Sequence, residues 1–221
     1  MSRSNPKSAS PISRYYSWKG SEGVIVYWDK AEEKEVIVEA PFKFLVLDNS
    51  YSTIAGWSDK DKAYYRSNEV NDLRTQEFVV RTSQGIKETG LYSELQVRNA
   101  GARYAKSIYI AVENADGELD IANLKATGAF LSAWIEFSKA TDVDTGQVVI
   151  TGTEEQKKGA TKYFIPTFDQ SDITDELDQM AIELDVVLQD YLKSRGSNVV
   201  SEVLAGAEDV SDDIEVGEIP F

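Results

Sequence analysis

The stretch ARYAKSIYIAVE, residues 102–113, decides how this chain is read. Ile108, Ile110 and Val112 alternate with Ser107, Tyr109 and Ala111. A period of two is the pattern of a β-strand with one face on a core and the other left for a different use. Runs of the same character lie on both sides. SEGVIVYWDK (21–30) and KEVIVEAPFKFLVLD (34–48) are rich in Val, Ile, Phe and Tyr and are bounded by Gly, Pro and Asp-Lys turns, with AEE (31–33) as a hairpin connection. QEFVVRT (76–82), GQVVITGT (146–153) and ATKYFIPTF (160–168) are further strands. Between them, NSYSTIAGWSDKDKAYYRSNEVND (49–72) has no clear period and reads as an excursion from the sheet. LKATGAFLSAWIEFSKA (124–140) is long enough for a helix, with Phe130, Ala133, Trp134 and Phe137 at helical spacing; Gly128 leaves its start open. Many short strands with one intervening helix give a mainly β chain with helices (α+β), and predict a small β-barrel or sandwich.

The last helix is the clearest. In SDITDELDQMAIELDVVLQDYLKSRG (171–196), Thr174 is placed as N-cap, acids fill the first turn, and Lys193, Arg195 and Gly196 close the end. Ile173, Leu177, Met180, Leu184, Val187 and Tyr191 form an apolar seam at spacings of 4 and 3. Such a seam packs either on its own sheet or against a second copy in a homodimer. The organisation expected is a basic arm at 1–17, a β domain at 18–168, the helix at 169–196 and an acidic linker and tail at 197–221.

Composition excludes much chemistry. Cys and His are both absent from the 221 residues. Disulfides, thiolate nucleophiles, Cys/His zinc sites and His-based acid–base schemes are therefore unavailable. No phosphate loop, dinucleotide fingerprint or nucleophile elbow is present. DVDTG (142–146) looks like half of a calcium loop, but without the remaining ligands it reads as a helix-to-strand turn. No enzyme, cofactor or metal site is expected. The opening MSRSNPKSASPISR has no apolar leader core and no segment is long enough to span a bilayer, so the expectation is a cytoplasmic protein without a membrane partner.

The net charge of −15 argues at first against a nucleic-acid partner. Its distribution changes that. Residues 169–221 hold 15 acids and 2 bases, a net of −13, which leaves −2 for residues 1–168. Within that nearly neutral body, aromatics cluster with Arg and Lys in RYYSWK (14–19), AYYRSNE (63–69) and ARYAK (102–106). Single strands are held in this way, with bases on aromatic faces and the backbone along a basic path. The candidate binding residues are Trp57, Tyr64, Tyr65, Arg66, Arg98, Arg103, Tyr104, Lys106 and Tyr109. Trp28 and Trp134 are expected in the core.

The chain finishes DDIEVGEIPF (212–221), an acidic run with an apolar tip of Ile219, Pro220 and Phe221. That ending resembles the C-terminal tip of bacterial single-stranded DNA-binding proteins, whose acidic tails finish in Asp-Asp-Asp-Ile-Pro-Phe. The apolar tripeptide matches in place, while the acids Asp212, Asp213, Glu215 and Glu218 are interrupted. The bacterial pattern's long Gly/Gln/Pro-rich linker is missing. With its larger body, the chain is more similar to phage replication proteins of this class, which combine an elaborated OB barrel, an extra helix and an acidic tail ending in an aromatic residue. The resemblance implies an OB-fold-like barrel with a C-terminal amphipathic helix, sequence-independent binding of single-stranded DNA in phage replication and recombination, and location in the host cytoplasm. It also implies that Asp212, Asp213, Glu215, Glu218, Ile219, Pro220 and Phe221 recruit replication or recombination proteins. The alternative is an acidic DNA mimic or protein-interaction module that binds no DNA.

Overall fold

The computed structural model describes the backbone of residues 10–204 and the side chains of residues 10–195. Its organising element is the strand read first. β9 (Arg103–Glu113) pairs along its length with β10 (Leu119–Thr127). Its other edge is shared by two strands: β4 (Phe42–Asp48) meets the half around Tyr109–Ala111, and β5 (Ser52–Ser58) meets Arg103–Lys106. The sheet therefore forks at β9.

One branch continues through β6 (Ala63–Ser67), β7 (Phe78–Thr82) and β8 (Gly85–Gly90). The other runs from β4 to β11 (Gln147–Lys158) and β12 (Thr161–Ser171). Beyond β10 lie β1 (Arg14–Lys19), β2 (Val24–Asp29) and β3 (Lys34–Val38). Among the described residues only the β1–β10 pair is parallel. The result is a 12-stranded mixed sheet with two helices, an α+β architecture.

It is not closed into a barrel, and the expectation of closure is corrected here. β12 returns to the end of β1 through the Phe164 N–H to the Gly20 carbonyl, 2.7 Å, and the Trp18 indole N–H to the Phe164 carbonyl, 3.1 Å. No ladder forms between them: β1 is already paired on both sides, by β2 and β10, and β12 keeps its outer edge free, as β3 and β8 do at the ends of the other branches.

The apolar face of β9 carries the main core. Ile108, Ile110 and Val112 pack with Tyr16, Phe42, Phe44, Leu124 and Val148 beneath α1 (Gly128–Ala140), which contributes Phe130 and Trp134. The helix, whose start the sequence left open, begins at Gly128, where φ is 54°, and Leu124–Thr127 are the end of β10. Trp134 is fully buried, whereas Trp28 is half-buried at the end of β2. Asp142–Gly146 form the turn into β11, with the Asp142 carboxylate accepting from the Asp144 N–H at 3.3 Å.

The 49–72 excursion is also corrected, because it contains β5 and β6. With β7, β8 and a short 3-10 helix (Val97–Ala100), they enclose a second, smaller core of Ile54, Tyr65, Phe78, Val80, Leu95 and Val97.

α2 (Asp175–Leu204) begins as read, the Thr174 hydroxyl accepting from the Leu177 N–H at 3.2 Å. It runs past Gly196. It packs on its own sheet through Ala181, Leu188 and Leu192, with Ile173, Leu177, Leu184 and Tyr191 beside them, against Leu45, Tyr109, Ala111 and Ile121. Val187, assigned to the seam, is 51% exposed. A spacing of 3.5 describes a coiled-coil stripe, but a straight helix of 3.6 residues per turn drifts off it and presents Leu188 instead. The basic arm is shorter than 1–17, since β1 begins at Arg14 and Ile12 is already buried beside Leu188 and Leu192.

Candidate functional site

Pairing register brings distant residues into one row. Arg103 of β9 lies opposite Ala55 of β5, Ala55 opposite Arg66 of β6, Arg66 opposite Arg81 of β7, and Arg81 opposite Ile86 of β8. Residues directly opposite in a sheet share a face, so Arg66 and Arg81 stand side by side and Arg103 lies in the same row across Ala55, on strands far apart in sequence. A register shift between Val80 and Arg81 sets the last pair. The next row on the same face is the Trp57–Tyr64 pair. Arg66 and Arg103 are exposed, Tyr64 is 44% and Ile86 47% exposed, and Trp57 and Arg81 are half-buried. Buried Ala55 is the small residue at the floor of the row.

Trp57 is placed by close backbone contact. A Cβ on Gly56, at φ 155°, would lie 2.7 Å from the Gly101 carbonyl oxygen, and one on Gly101, at φ 112°, would collide with the Trp57 carbonyl oxygen. Only glycine lets the two chains approach so closely. The Trp57 indole N–H donates to Asp59 at 3.3 Å.

Four of the nine residues chosen from sequence meet on this face: Trp57, Tyr64, Arg66 and Arg103. The other five lie elsewhere: Tyr65 and Tyr109 are buried, against the expectation that their rings are open to a base, and Arg98, Tyr104 and Lys106 lie off this face. Tyr65 points to the opposite side, fully buried in the small core, its hydroxyl donating to the Asp61 carboxylate. That bond raises the phenol pKa and lowers that of Asp61. Tyr109 is buried under α2 and donates to Glu69. Burial first, then the Glu69 charge, pushes its phenol far above the ordinary tyrosine value.

Tyr104 faces the small-core side, with its hydroxyl 2.8 Å from the Ser52 hydroxyl and its ring edge-on to Tyr92. Arg98 lies over the Tyr92 ring, 4.8 Å from its centroid, and donates to the Leu95 and Ser93 carbonyls at 3.2 and 3.3 Å. Lys106 donates to the backbone and side-chain oxygens of Asn49, and partial burial lowers its pKa. Alternation along strands explains Tyr65 and Tyr104: Tyr64 and Tyr65, or Arg103 and Tyr104, are neighbours that must point to opposite sides; Tyr109 shares the face of Arg103 but is covered by α2. Sequence reasoning missed Arg81 and Ile86, whose only signal was membership in the strand QEFVVRT and the turn after it.

Two grooves lie elsewhere. One, of about 520 Å³, lies between β4 and α2 and includes Asp48, Asp144, Asp178 and Asp185; the other, of about 340 Å³, is apolar and lies between β3 and β11. Among the described residues no group of three or more acids is placed to hold a metal, and no helix is long and apolar enough to cross a membrane. The tail residues Asp212, Asp213, Glu215, Glu218, Ile219, Pro220 and Phe221 lie outside the described residues. Comparison with protein-family models finds no match, and comparisons with curated proteins and with solved structures find none either.

Proposed function

We propose that the chain binds single-stranded DNA without sequence preference, as a non-enzymatic protein of phage replication or recombination, and that it does so on the open face of β5–β8 and β9. The observation that carries this reading is the cross-strand row Arg103–Arg66–Arg81 beside the Trp57–Tyr64 pair. Arginines in a line suit successive phosphates, and the adjoining rings suit bases, which every nucleotide can stack. From β9 to β8 the row crosses four inter-strand steps, about 19 Å, so the nucleic acid runs across the strands rather than along one of them. The ending at Ile219–Phe221 supports recruitment of replication proteins, by its likeness to the bacterial tip.

The test is an intrinsic-fluorescence titration with oligonucleotides of several lengths at a series of salt concentrations. Binding should weaken with salt at a log–log slope of about −0.7 per phosphate neutralised. Tyr64→Ala should cost about 1–3 kcal/mol of affinity with little change in stability. Tyr65→Ala should destabilise by roughly 3–5 kcal/mol, as loss of a buried aromatic does. No binding at low salt, either by the full chain or by one lacking residues 205–221, would leave the DNA-mimic or interaction-module reading in its place.

A further inference from the structure

The segment that follows β6 crosses back over the sheet and is tied down at every residue. The Ser67 hydroxyl accepts from the Ile54 N–H at 2.9 Å, and the Asn68 carbonyl oxygen accepts that same hydroxyl's proton at 2.7 Å. The Asn68 side chain accepts from the Val79 N–H at 2.6 Å and donates to the Glu77 carbonyl at 3.1 Å, which fixes β7. Val70 exchanges two backbone hydrogen bonds with Ser52 of β5. Glu69, between them, reaches onto β9. Its carboxylate accepts from the Ser107 and Tyr109 hydroxyls and pairs with Arg195 of α2 at 3.1 Å. Ser107 in turn accepts from buried Asn123 of β10 at 2.6 Å. The Glu69 side chain is only 14% exposed.

We propose that Glu69 and Arg195 are positioning residues for the DNA-binding face. This rests on the single-stranded DNA reading above. Arg195 neutralises a nearly buried carboxylate whose other partners are neutral hydroxyls, and a carboxylate left there without its counter-charge is driven to protonate or to turn out to water. Turning out to water pulls on Asn68 and Val70, which flank Glu69, and so on the end of β6 one residue beyond Arg66, while protonation gives up the ion pair that ties the segment to α2. The pair therefore makes the register of β6 between β5 and β7, and with it the alignment of Arg66 against Arg103 and Arg81, depend on the seating of α2. The sequence separates the two residues by 126 positions, so no local pattern announces the pair.

The experiment uses the full chain with a dT oligonucleotide, comparing Arg195→Met, the isosteric Glu69→Gln and the double variant across salt concentrations. Each single change should lower affinity about tenfold. The double variant should lose no more than either single, since both remove one interaction. The slope of log affinity against log salt should stay at the wild-type value, because neither residue touches phosphate, and Arg195→Lys should restore most of the affinity. A slope reduced by about 0.7 in Arg195→Met would make Arg195 a direct phosphate contact and overturn the proposal. Additive losses, or a lower melting temperature with unchanged affinity, would overturn it too. Wild-type protein that fails to bind the oligonucleotide refutes the DNA reading itself, a result separate from all of these.

Discussion

At the scale of single residues, the same side chain does different work according to the parity of its position. Tyr64 and Tyr65 are adjacent, yet one ring stands beside Trp57 in solvent and the other closes the small core. Tyr109 lies on the same face of β9 as Arg103, three alternations away, but α2 and Glu69 cover it. Its titration gives a test that is independent of DNA. In the unfolded chain a tyrosine ionises near pH 10, while in the fold burial and the Glu69 charge hold Tyr109 protonated well above that. The folded state therefore binds one more proton once pH passes about 10, and stability falls with rising pH by about 1.4 kcal/mol per unit for this group. Below pH 10 that contribution is complete. Tyr109→Phe should remove that share of the alkaline slope in urea melts at pH 10–11.5, while costing a hydrogen bond at neutral pH. An unchanged alkaline slope would mean that Tyr109 ionises as freely in the fold as out of it.

Elements differ in how visible they were. β9, β2, β7, β11 and β12 were legible because apolar residues recur at a period of two or in short continuous runs. β5 and β6 were not, because one of their faces carries Trp57, Tyr64 and Arg66 and the other holds few large apolar groups, so no period stands out over five to seven residues. Closure into a barrel was beyond the sequence for a different reason: whether the end strands β3, β8 and β12 meet depends on curvature summed over many strands, which no local pattern encodes. The proposed binding face was half legible. Its residue types were found, but its membership was set by register between five strands, which is why Arg81 and Ile86 were missed and Tyr65 was included, and by the cover of α2 over Tyr109. α2 shows the same limit in helical form, since its seam was right in kind and wrong by one residue at Val187. Leu188→Ala should therefore cost about 2–5 kcal/mol, and Val187→Ala less than about 0.5, in denaturant unfolding of the full chain. A larger loss at Val187 than at Leu188 would restore the seam at a spacing of 3.5 and with it a contact between two copies.

Over the whole molecule, charge is segregated along the chain. Residues 205–221 contain six acids, Glu208, Asp209, Asp212, Asp213, Glu215 and Glu218, and no base, so their removal changes the net charge from −15 to −9. The basic row lies on the small lobe, and the acids are joined covalently to the same molecule. On the reading proposed above, they compete for the row intramolecularly, at an effective concentration set by chain length rather than by dilution. A phosphate backbone must compete with them, and the competition is strongest where screening is weakest, at low ionic strength with a Debye length of about 30 Å at 0.01 M. Deleting residues 205–221 should raise affinity for single-stranded DNA, most at low salt and by a margin that shrinks toward physiological ionic strength. Phe221→Ala keeps all six acids, so it should leave DNA affinity unchanged while abolishing pull-down of a replication partner by the tip. Titrations of the three proteins at two salt concentrations separate the effects. Should the truncated chain bind no more tightly than the full chain at low salt, the acids do not oppose the arginine row. Should the Phe221 variant also keep its partners, the tail serves neither DNA release nor recruitment, and the function rests on the sheet face alone.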